Sequence, residues 1–270
     1  MTLQRGFTLI EMIVVIVITG IIAGMVAIFI QAPVQGYVDS SRRAELTDIA
    51  DTALRRMARD VRLAVPNSVR TAACPGPCFE FVLTKAGGRY RNDLPGDTLL
   101  FDGADTTFDI LHGPNGTAIA AGDYIVIGSS QSDGSVVYGR TGLRKVDPYV
   151  SPKVTLDSGL ANALQMPTHR FDVVDSAVTY DCVGVGTDAS GNGTGTLRRY
   201  SGYWDFTANR TPFTVPAGGV SARMADKVSA CTISYDLTEK RFSLLSIRLT
   251  LTEADESVTL HHQMHVNNLP

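Results

Sequence analysis

The reading of this chain turns on its first thirty residues, "MTLQRGFTLIEMIVVIVITGIIAGMVAIFI" (residues 1–30), where the run from Phe7 to Ile30 carries one charge, Glu11. As α-helix those 24 residues measure about 36 Å, enough to cross a hydrocarbon layer of about 30 Å. A secretory signal peptide does not fit, because its apolar core is shorter and a small-residue cleavage site follows it. A plain anchor leaves Glu11 unexplained, since a carboxylate at the bilayer centre costs roughly 2.5–3.5 kcal/mol on insertion scales. A third arrangement removes the difficulty. Cleavage after Gly6 makes Phe7 a free N-terminus, and its ammonium lies one helical turn from Glu11. At an effective dielectric of about 20, attraction across about 4 Å amounts to roughly 4 kcal/mol, comparable with that cost.

The stretch "RGFTLIEMIVVIVITGIIA" (residues 5–23) resembles the N-terminal signature of type IV prepilins: a short basic leader ending in Gly, then Phe, then Glu four residues later in a long apolar helix. The resemblance implies that a prepilin peptidase cuts after Gly6 and methylates Phe7, and that Glu11 pairs with the N-terminal amine of an adjacent subunit during assembly. It also implies the fold: α+β, with a long N-terminal α-helix, membrane-spanning in its first half, packed on a β-rich antiparallel globular head. Major pilins commonly carry an earlier helix-kinking proline; here the first is Pro33, so their partly melted helix is not carried over. Gly20 and Gly24 have the G-x-x-x-G spacing that lets helices approach closely in lipid, although glycine is also simply tolerated there.

Two further stretches, "YVDSSRRAELTDIADTALRRMARDVRLAVPNSVR" (residues 37–70) and "HHQMHVNNLP" (residues 261–270), resemble the MshO-type minor pilins of the mannose-sensitive haemagglutinin (MSHA) pilus. More broadly they resemble J-type minor pseudopilins of type II secretion and W-type minor pilins. These resemblances imply a low-abundance subunit that helps to initiate a filament with other pilins and minor pilins, at its tip in one version. They place it in the inner membrane before assembly and on the cell surface afterwards. The alternatives are a J-type pseudopilin and a membrane-tethered adhesin or enzyme domain.

Lys plus Arg number 24 against 27 Asp plus Glu, a net charge of −3, so there is no basic excess to suggest nucleic acid. Arg5 before the span orients the rest of the chain outside the cytoplasm. In that oxidising compartment the four cysteines read as disulfides. "CPGPC" makes Cys74–Cys78 the local pair and leaves Cys182–Cys231. A four-cysteine zinc site would need two closely spaced pairs, and only one exists.

The expected organisation is a leader (1–6), a membrane and assembly helix (7–30), an amphipathic continuation (31–66) and a β-rich head (67–270). Val38, Leu46, Ile49, Ala53, Leu54, Met57, Val61 and Ala64 recur at helical spacing, and Pro66 is the expected stop. Short β-like runs follow, among them "FEFVLT", "DTLLF", "DYIVIG", "SVVYGRT", "RFDVVD", "AVTYDC" and "TLRRY". A final hairpin pairs "RFSLLSIRLTL" with "SVTLHHQMHV" across "TEADE". "GVGTDASGNGTG" reads as a mobile surface loop rather than a nucleotide loop. His261, His262 and His265 lack zinc-binding spacing, and on a strand His262 faces away from the other two. Asp102, Asp105 and Asp109 do not match an EF-hand and read as an acidic turn. No motif for catalysis or cofactor binding stands out, so neither an enzyme nor a cofactor is expected.

Overall fold

The computed structural model describes residues 7–71, 76–112, 119–130, 134–211, 218–236 and 242–267. One helix, α1 (Leu9–Arg62), dominates the N-terminal part; its 54 residues extend about 80 Å. Pro33 lies inside it without ending it. From Leu46 onward the apolar stripe is buried: Leu46, Ala50, Ala53, Leu54, Met57 and Val61 lie against the head. The helix ends at Arg62, one turn before Pro66, because strand β1 (Cys78–Tyr90) captures the next backbone groups. Thr84 N–H donates to Leu63 O at 2.7 Å, and Val65 N–H donates to Val82 O at 2.8 Å.

The remaining strands are β2 (Thr107–His112), β3 (Tyr124–Ile127), β4 (Leu143–Val150), β5 (Lys153–Leu156), β6 (Arg170–Val183), β7 (Gly195–Ser201), β8 (Val220–Asp236), β9 (Phe242–Glu253) and β10 (Glu256–Asn267). All described pairings are antiparallel. An open sheet runs β1–β6–β7–β8–β9–β10, and α1 packs on one face of it. At the other end the order β1–β2–β5–β4–β3–β6 returns to β1, closing a six-stranded barrel. Both β1 and β6 serve the two layers. Irregular register at Val82, Thr84 and Ala86 bends β1 from sheet into barrel, which is what a bulge does to a strand. Two cores follow: Phe79, Phe81 and Tyr180 stacked under α1, and Phe108, Phe171, Tyr90, Ile125 and Leu143 filling the barrel.

Two expectations are corrected. "SVVYGRT" contains a four-residue helix, α2 (Ser135–Tyr138), with Val136, Val137 and Tyr138 all buried, so alternation is lost. "DTLLF" has Leu99 and Phe101 inside and Leu100 outside, yet it forms no ladder; the Asp105 carboxylate accepts from Leu100 N–H at 2.7 Å. The Gly-rich segment is a surface loop with hydrogen bonds of its own. Asp188 accepts from the N–H groups of Ser190 and Asn192, both at 2.9 Å, and Asn192 Oδ1 accepts from Ala254 N–H at 2.9 Å. Gly191, at φ +71, leaves no room for a Cβ beside Asp255.

Candidate assembly site

Thr8 caps α1 in an extended conformation, with φ −82 and ψ 150, and its Oγ1 accepts from Glu11 N–H at 3.4 Å. Thr8-x-x-Glu11 is the spacing of a capping box, a signal present in the sequence but unread there. Glu11 therefore occupies the first turn, where the aligned peptide dipoles present partial positive charge to a carboxylate. It is exposed, as is Phe7, and Gly6 lies outside the described residues. Every large apolar side chain from Phe7 to Ile30 keeps 48–81% of its surface open, so the described head covers none of this run. A Cβ placed on Gly20 or Gly24 meets nothing within 4 Å, so both leave space for another helix. The arrangement is a naked apolar rod with an acid at its tip, suited to lipid and then to neighbouring helices.

The second half of α1 is held to the head by charge as well as packing. Arg43 Nε pairs with Glu256 at 2.6 Å and keeps that carboxyl below its ordinary range. Asp60 accepts from Arg199 Nε at 2.7 Å and from the Tyr180 hydroxyl at 2.8 Å. Burial first, and then the Asp60 charge, push the Tyr180 hydroxyl well up. These contacts tie the helix to β6, β7 and β10.

On the sheet face away from α1, Glu80 is wholly buried. Its Oε1 accepts from Tyr203 OH at 2.7 Å and Arg210 Nε at 2.8 Å, and its Oε2 accepts from Arg70 Nε at 2.8 Å. The Arg70 guanidinium also lies over the Tyr138 ring, 3.5 Å from its centroid. Burial, with the Glu80 charge second, raises the Tyr203 and Tyr138 hydroxyls. The cluster locks the loop after β7 onto β1. Sequence reading missed it, because Arg210 is 130 residues from Glu80 and no local motif marks either.

Cys182 and Cys231 are bonded, joining β6 to β8. Cys78 is buried at the start of β1, and the expected Cys74–Cys78 bond lies outside the described residues, because Cys74 does. His261 and His265 share the outer face of β10 while His262 turns toward α1, and His261 Nε2 hydrogen-bonds Ser246 Oγ at 2.8 Å. Asp102 closes a turn by accepting from Ala104 and Asp105 N–H, both at 2.8 Å. Asp109 instead accepts from Asp97 N–H at 3.0 Å.

Residues 1–27 match the family model of the prokaryotic N-terminal methylation motif. No curated protein and no solved structure shows significant similarity to the chain. The motif supports a subunit of the type IV pilin or pseudopilin class, in which association with other pilins and processing by a prepilin peptidase are implied. An apolar helix carrying that motif is consistent with an inner-membrane anchor, and the α+β architecture is consistent with a pilin-like fold.

Proposed function

We propose that this chain is a minor pilin of the MSHA type, a structural subunit that helps to start filament assembly. Residues 1–6 are its leader, 7–30 its membrane and assembly helix, 31–66 the continuation of the spine and 67–270 the head outside the cytoplasm. The peptidase cuts between Gly6 and Phe7, and Glu11 meets the new amine of a neighbouring subunit. The observation that carries the reading is the methylation motif at the tip of a 54-residue helix whose apolar half is bare and whose amphipathic half is clamped to a β-head.

Glu11→Ala separates insertion from assembly, because it removes a carboxylate from an apolar helix and leaves Gly6 intact. In cells lacking the native copy, the variant should reach the membrane and be cleaved normally, with reduced recovery in sheared filaments. Mass spectrometry should find mature chains beginning at methylated Phe7. Unaltered incorporation of the variant, or an intact Met1, refutes the assembly role and favours a tether.

A further inference from the structure

The open sheet ends at β10, and among the described residues no strand pairs with its outer edge. Proteins usually protect such an edge with Lys, Pro, a bulge or brevity. β10 has none of these. It is 12 residues long, "ESVTLHHQMHVN", and its register against β9 is unbroken from Glu256↔Glu253 to Asn267↔Phe242. Its one charged residue apart from histidines, Glu256, is engaged by Arg43.

Cations flank this edge on both faces. On the α1 side, Arg55, Arg59, Arg62 and His262 line a groove of about 440 Å³. On the outer face, Arg248 lies opposite His261, among Thr232, Ser234, Ser246 and Thr259. Arg55 pairs with Asp51 at 2.6 Å, whereas Arg59, Arg62 and Arg248 have no carboxylate partner among the described residues. Arg59 and Arg62 sit in the last turn of α1, where the dipole alone favours a cation, but that does not account for Arg248.

We propose that the outer edge of β10 and its flanking arginines dock an extended acidic segment of a neighbouring filament subunit, added as an eleventh strand. The proposal rests on the filament reading for the source of the segment. Strand addition satisfies the open backbone groups, and alternate side chains then reach the arginine groove while the others face the Ser/Thr-rich surface. Charge opposes a second copy pairing through the same edge, since it would bring two basic rims together. An anionic bilayer is too distant: Arg55 is about 38 Å along the helix from Ile30, several times the Debye length of about 8 Å.

The test uses the full chain in detergent and a labelled peptide of alternating Glu and Thr long enough to span β10. Binding is expected, with protection of β10 amides from hydrogen exchange. Affinity should fall by about tenfold or more for a Gln–Thr peptide, and equally for an Arg59→Gln/Arg62→Gln variant whose melting curve is unchanged. An N-methylated Glu–Thr peptide should not bind. The proposal is overturned if the Glu–Thr peptide fails to bind, if Gln–Thr or N-methylated peptides bind as well, if β10 stays unprotected, or if duplex DNA or anionic vesicles bind more tightly. None of these outcomes touches incorporation into sheared filaments, so the two readings fail separately.

Discussion

Replacing Glu80 by Gln keeps the shape of the side chain and removes its charge from a site with no solvent exposure. Arg70 and Arg210, whose side chains are 17% and 14% exposed, then lose the carboxylate they share. Removing one partner from a buried ionic cluster typically costs about 3–5 kcal/mol, because the remaining charges stay desolvated. For a head of this size each kcal/mol lowers the melting temperature by about 2–4 °C, so the variant should melt roughly 6–20 °C below the parent. Circular dichroism of the full chain in detergent measures this. The triple variant Glu80→Leu, Arg70→Met, Arg210→Met should recover much of the loss, since apolar groups of similar volume replace a buried cluster at little cost. A Glu80→Gln variant melting within about 2 °C of the parent refutes the view that this cluster locks the loop after β7 onto the sheet.

Cys182→Ser opens a cross-link of sequence separation 49; the chain-entropy estimate is about 4 kcal/mol, so melting should fall by roughly 8–16 °C in the same assay. Burial raises the Asp172 carboxyl from its ordinary 3.8 to about 6, with Arg170 opposing. The folded state therefore holds this proton more tightly, so the contribution of Asp172 to stability is greatest below about pH 4 and is lost as pH rises through about 6. Asp172→Asn should flatten that slope, which pH-dependent urea melts would show, and should stabilise at pH 7 by on the order of 2–3 kcal/mol. Asp60→Asn removes the negative charge from the oxygen to which both Arg199 Nε and the Tyr180 hydroxyl donate, a loss of about 1.5–3 kcal/mol for bonds to a charged group; faster amide exchange across residues 57–66 is the expected sign.

The elements legible in the sequence are those whose information is local. The bare apolar run, the buried stripe through Leu46, Leu54 and Met57, and the C-terminal hairpin all announce themselves by periodicity. Even there the turn is tighter than expected: β9 and β10 run to Glu253 and from Glu256, and Ala254 and Asp255 take φ +47 and +66 at a two-residue turn. The pairing of Cys182 with Cys231 followed from counting. Thr8 as the helix cap was equally local, and only its motif went unread. Tertiary structure alone decided the rest. Whether "SVVY" is strand or helix depended on burying three successive side chains, and whether "DTLLF" pairs depended on the Asp105 carboxylate. Closure of the barrel and the Glu80 cluster join residues far apart in the chain. A single sequence carries no short-range pattern for such contacts, because their energy is realised only after the sheet has brought the partners together.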